Sequence, residues 1–138
     1  VQREGEEGEG MILFQERFVP LILSGVKTVT RRRGHKRWNV GAIHQCYTRM
    51  PWGKKPGKMF ARVRIVSVSF EDFLGDATPP VTAEDGLLHW EGSTEAESHR
   101  EGFDSWEDFL DLYLEINGEG SLREPAWRVE FELVESLA

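Results

Sequence analysis

The sequence predicts an α+β fold, a small barrel-like mixed sheet with short flanking helices. Three observations point there. Strand-like segments dominate the first half, one strongly amphipathic helix comes late, and an alternating segment closes the chain. At 138 residues, 39% of them apolar, the chain has the material for one hydrophobic core. Residues 1–10, VQREGEEGEG, read as an acidic tail, and residues 11–138 as a single domain.

The elements follow in order. MILF, residues 11–14, is a short apolar strand. Residues 18–23 form a short helix, with Pro20 in its first turn and Gly25 free to take the left-handed conformation that ends it. The β-branched VTR at 29–31 is extended. Residues 33–39 are a basic loop carrying His35 and Trp38, and residues 42–48 a strand. MPWGKKPGK, 50–58, is a loop punctuated by two prolines and two glycines. Residues 59–70 alternate as a strand, but Val66 and Val68 fall on the side opposite to Ala61, Val63 and Ile65, so a bulge is expected. Residues 71–75 read as a helical turn, the capping pattern at 82–85 as another short helix, and 94–97 as an acidic insertion. A second capping pattern at Ser105 opens the main helix, whose stripe of Trp106, Phe109, Leu110, Tyr113 and Leu114 has core spacing and ends at Gly118. Residues 126–134 alternate as the last strand.

Charge is distributed unevenly. The formal net charge is −7, yet residues 25–64 hold 12 of the 17 basic residues and no acid. From Glu71 onward there are 19 acids and 3 arginines, 3 − 19 = −16. If these halves stay apart in space, one face attracts phosphates; if they mix, the surface is neutralised by salt bridges. The single cysteine, Cys46, excludes an internal disulfide, reads as a small buried hydrophobe and fits a cytoplasmic protein. No apolar run is long enough for a membrane span, so no membrane partner is expected. His44 and Cys46 share a strand face but make only two ligands, and no Gly-x-Gly-x-x-Gly or Walker loop occurs. Neither a metal nor another cofactor is expected.

GVKTVTRR, residues 25–32, is the stretch richest in chemistry. Thr30 and Arg32 share one face of an extended segment, and Lys27 joins them only if it still lies in the preceding turn. A mobile ammonium, a hydroxyl and a planar guanidinium fork together suit a phosphate or a carbonyl. A solvated turn fits the same residues. The pattern Gly25-x-Lys27-x-x-Thr30-x-Arg32, followed later by EGFDSWEDF at 101–109, resembles the ASCH domain family of PUA-like fold. Relatives of that fold commonly bind RNA, and some small ASCH proteins are amidohydrolases that deacetylate N4-acetylcytidine. The resemblance implies that Lys27, Thr30 and Glu101 act together, and their chemistry suits Lys27 as base, Thr30 as nucleophile and Glu101 as acid. Read from its position alone, Glu101 is equally a solvated acid near a helix start.

The basic loops add candidate binding residues. Arg31, Arg32, Arg33, Lys36, Arg37, Arg49, Lys54 and Lys55 would hold phosphates beside Gly25, while Trp38 and Trp52 either stack bases or fold back on the core. Trp90, in the acidic half, reads as structural. The expected partner is RNA or a modified nucleoside or nucleotide, bound in a positive cleft. Two alternatives stand beside binding: a hydrolase acting on an acylated cytidine or an RNA phosphodiester, and an adaptor whose acidic helix face docks a basic partner.

Overall fold

A computed structural model describes residues 10–71 and 94–137. Five strands form one sheet: β1 (Gly10–Leu13), β2 (Val29–Arg32), β3 (Ile43–Tyr47), β4 (Ala61–Glu71) and β5 (Ala126–Ser136), in the order β1-β3-β4-β5-β2. The β1–β3 pair is parallel and the others are antiparallel. The sheet curls into a half-barrel, and its two edges come within side-chain reach. Arg32 of edge strand β2 donates from Nη2 to the carbonyl of Leu13, at the end of edge strand β1, at 2.8 Å.

Three helices flank the sheet: α1 (Val19–Leu23), α2 (Thr94–Glu101) and α3 (Trp106–Asn117), with 3-10 turns at Glu16–Phe18 and Ser121–Arg123. Pro20 sits in the first turn of α1, and Gly25 follows with φ +83°. Ser105 caps α3 by accepting from the Asp108 amide at 3.1 Å. Gly118 closes α3, donating to the Leu114 carbonyl at 2.7 Å. The bulge expected near Val66 is present, as a register shift between Ile65 and Ser67 opposite β5. Ile12, Phe14, Val63, Ile65, Val129 and Phe131 fill the concave side of the sheet with Ile22 of α1. Phe18, Phe103, Phe109, Trp106 and Tyr113 continue that core as a chain of ring contacts.

Several expectations are corrected. Glu71 is the last residue of β4 rather than the start of a helical turn, because its carboxylate pairs with Arg31 across the sheet. Residues 94–97 are the first turn of α2 rather than an inserted loop. Alternation along β5 fails at Arg128, which is buried because Glu97 pairs with it. Leu133, expected on the buried side, is exposed. β1 starts at Gly10, one residue inside the expected tail. The rest of that tail, residues 72–75, the helix expected at 82–85 and Trp90 lie outside the described residues. Among the described residues no helix is long and apolar enough to cross a membrane.

Candidate functional site

The site begins where α1 hands over to β2. The amides of Val26 and Lys27 both donate to the Leu21 carbonyl, and the Thr28 amide donates to the Arg100 carbonyl of α2 at 2.8 Å. This turn keeps Lys27 out of strand alternation and turns its side chain inward, where it is 3% exposed. Its Nζ donates to the Val29 carbonyl (2.7 Å), the Glu101 carbonyl (2.6 Å) and Glu101 Oε1 (3.1 Å), and lies 4.6 Å from the centre of the Phe18 ring. Those three acceptors are a full set for an ammonium. Burial pulls the Lys27 pKa below that of an ordinary lysine. Glu101 opposes this by charge and hydrogen bond, while Arg32 and Arg31 add to the lowering.

Thr30 and Arg32 share a face of β2, as strand geometry requires. The Thr30 hydroxyl accepts from Arg32 Nε at 3.0 Å. Arg32 spends one further donor on Leu13 and pairs with no carboxylate among the described residues, so part of its five-donor fork remains open. Burial pulls its pKa below that of an ordinary arginine, with the Glu101 charge opposing. Lys27, Thr30, Arg32 and Glu101 line one wall of a cavity of about 370 Å³, and Phe109, Leu112, Tyr113, Ile116 and Asn117 of α3 line another.

Beneath the first wall lies an ionic cluster. Arg31 donates from Nε and Nη2 to both oxygens of Glu71 (2.7 and 2.8 Å), from Nη2 to Glu97 Oε2 (2.7 Å) and from Nη1 to Glu101 Oε2 (2.7 Å). In the β2–β5 ladder Arg31 lies directly opposite Arg128, and both are buried. Two like charges facing each other in a low dielectric need an anion between them. Glu97 provides it, accepting from Arg31 and, through Arg128 Nε (2.6 Å) and Nη2 (3.1 Å), from Arg128. Desolvation pushes the Glu97 carboxyl up, but hydrogen bonds and charge from Arg128 and Arg31 outweigh it and hold the pKa at about 2. Glu97 and Glu101 are four residues apart, so both fall on the sheet-facing side of α2.

The expected residues are distributed as follows. Lys27, Thr30, Glu101, Arg31, Arg32 and Arg33 line the cavity together, and Arg33 also pairs with Glu124. Gly25 lies in an exposed turn, and Lys36 and Arg37 are exposed on the loop after β2. Trp38, read as a stacking candidate, is 4% exposed and packs in the core, so it offers no face to a base. Arg49 is committed to its own loop, donating to the carbonyls of Lys55 and Pro56. Trp52 is 63% exposed, and Lys54 and Lys55 stand exposed beside it. Cys46 is fully buried, and burial raises its thiol pKa to about 12.

Sequence reasoning missed Glu71, Glu97 and Arg128. The available signal was the Glu-x-x-x-Glu spacing of 97 and 101 together with two arginines brought face to face in adjacent strands. The α3 stripe, read as core, is core at Trp106 and Phe109 and at the same time a wall of the cavity.

No protein-family model matches the sequence, and no curated protein does. Solved structures match nearly the whole chain. The hypothetical protein PH0355 superposes with a TM-score of 0.60 at 16% identity, covering 91% of this chain and 99% of that one. EF3133 from Enterococcus faecalis V583, described under DUF984, gives 0.56 at 16% identity, over 93% and 81%. An ASCH domain from Lactobacillus crispatus JV V101 gives 0.52 at 20% identity, over 98% and 87%. The chain has the ASCH-domain fold. In this ASCH-like, PUA-like architecture the turn into β2 and the end of α2 meet, which brings residues 74 apart in sequence, Lys27 and Glu101, into one hydrogen bond.

Proposed function

We propose that this ASCH-fold protein is a small amidohydrolase that removes an acyl group from an amino-heterocycle of nucleoside size, N4-acetylcytidine being the representative substrate. The observation that carries this reading is the 3.1 Å contact between Lys27 Nζ and Glu101 Oε1, both of which line a half-open cavity with Thr30. At about 370 Å³ the cavity falls within the range of small-molecule sites, roughly 300–1,000 Å³.

The chemistry follows from this geometry. Passing one proton from Lys27 to Glu101 turns an ammonium–carboxylate pair into an amine and an acid. Burial loosens the hold of Lys27 on its proton, and the Glu101 carboxylate is the acceptor within reach. Neutral Lys27 then takes the Thr30 proton as Oγ1 forms a bond to the acyl carbon. The carbonyl π pair moves onto oxygen, where the open donors of Arg32 stabilise it. Collapse of that intermediate breaks the C–N bond, and Glu101 supplies the proton to the leaving nitrogen. Water then gives one proton to the Glu101 carboxylate as its oxygen bonds the acyl carbon, and the acyl–Oγ1 bond breaks as the Lys27 ammonium returns a proton to Thr30, which restores the amine and the acid. In the resting arrangement Thr30 is held by Arg32 and not by Lys27, so Lys27 must leave one of its carbonyl acceptors before the first step.

The test is acetate release from N4-acetylcytidine. Lys27→Met and Thr30→Val should each lower kcat by roughly 10²-fold or more, and Thr30→Ser should restore part of it. No acetate at high protein concentration would sink the proposal. A second reading, RNA binding, is favoured by a different observation: exposed Trp52 shares one loop with exposed Lys54, Lys55 and Lys58. It calls for affinity that falls steeply with salt and weakens in Trp52→Ala.

A further inference from the structure

One wall of the cavity comes from a single face of α3. Phe109, Leu112, Tyr113, Ile116 and Asn117 recur at the spacing of one helix face. Four of these contribute carbon surface or a committed amide: Asn117 Nδ2 is bound to the Tyr113 carbonyl at 3.0 Å. Tyr113 differs. It is 5% exposed, and its hydroxyl has no hydrogen-bond partner among the described residues. A buried O–H without an acceptor is costly, and native folds rarely leave one unmet. Ser121 Oγ is also unpartnered, but Ser121 does not line this cavity. Burial raises the Tyr113 phenol to about 12, so near neutral pH it is a donor with its proton in place.

Beside the charged Arg31, Arg33 and Glu101, the lining of the cavity offers the aromatic and aliphatic surfaces of Phe14, Phe109 and Leu112. Such surfaces accept the faces of a flat ring but cannot distinguish one ring from another. We infer that Tyr113 is a specificity-determining residue, whose hydroxyl donates to a carbonyl acceptor on the ring-bearing half of the bound amide. The inference rests on the amidohydrolase reading and adds the chemical class of the leaving group: a planar amino-heterocycle that carries a ring carbonyl. Thr30 and Lys27 act on the acyl end, and Tyr113 reads the other end.

Two substrates separate the roles. N4-acetyl-1-methylcytosine carries the ring carbonyl, and N-(pyrimidin-4-yl)acetamide is the same type of ring without it. Tyr113→Phe should lower kcat/KM for the first by roughly tenfold and leave the second unchanged, so the preference of the native protein collapses. Its Tm should hold or rise, since the substitution removes an unmet donor. An unchanged preference overturns the inference, and so does a Tm lowered by several degrees, which would mean that the hydroxyl supports the fold. If the native protein hydrolyses neither amide, the amidohydrolase reading has failed on its own account. Titration calorimetry with 1-methylcytosine then decides Tyr113 separately: weaker binding by Tyr113→Phe supports the donor, and equal binding overturns it.

Discussion

Two parts of the acid-free stretch meet opposite fates. In β2, Arg31 is surrounded by Glu71, Glu97 and Glu101, all from the acidic half of the chain. In the loop at 50–58, Lys54, Lys55 and Lys58 stay exposed, and no acid pairs with them among the described residues. Arg62 and Arg64, in β4, side with Arg31, since they pair with Glu135 and Glu132 of β5. Charge separated along the chain is thus mixed at Arg31, Arg62 and Arg64, which strands set beside acids, and stays separated in the loop at 50–58. Antiparallel pairing sets basic β2 and β4 against β5, and the loop has no such neighbour.

The sharpest way to break this contrast is to remove the centre of the mixed region. Arg31→Met leaves three carboxylates without their shared cation and should cost about 3–5 kcal/mol, read from chemical denaturation. Acid should have a somewhat smaller effect. Glu97 is held at about 2 against an ordinary 4.5. Its folded value is the lower one, so the unfolded chain takes up the proton first as pH falls. The stabilisation is therefore whole above about pH 4.5 and is lost as pH drops through 2, an amount of roughly 3 kcal/mol. The denaturation midpoint measured against pH should show that slope, and Glu97→Gln should flatten it. Changes in the loop should be smallest. Replacing Lys54 and Lys55 with alanine should shift stability by no more than about 0.5 kcal/mol. A larger loss would mean that the loop is built into the fold after all.

The sequence made most of the sheet legible, because β-branched alternation and glycine punctuation are local signals. The capping serine and apolar stripe of α3 were equally plain. Lys27, Thr30 and Glu101 were singled out through a motif and a resemblance, and strand alternation alone would have placed Lys27 away from Thr30. What stayed hidden was α2. TEAESHRE has no apolar face to betray a helix, since the face it buries is made of carboxylates. Burying Glu97 makes sense only once Arg31 and Arg128 are known to be cross-strand partners, a fact that appears with the fold. Trp38 stayed open between two readings for a related reason: a tryptophan among cations has the same local pattern whether it points outward or inward.

Lys27 is gripped by both the main-chain oxygen and the side chain of Glu101. Amputating that carboxylate would therefore disarm the pair without casting the lysine adrift. The peptide unit at the tail of α2 acts as a mooring that any amino acid at position 101 can furnish. Under the proposed amidohydrolase reading, a drop in turnover on such a replacement would reflect the missing carboxylate, its grip on Arg31 included, and not a wandering amine.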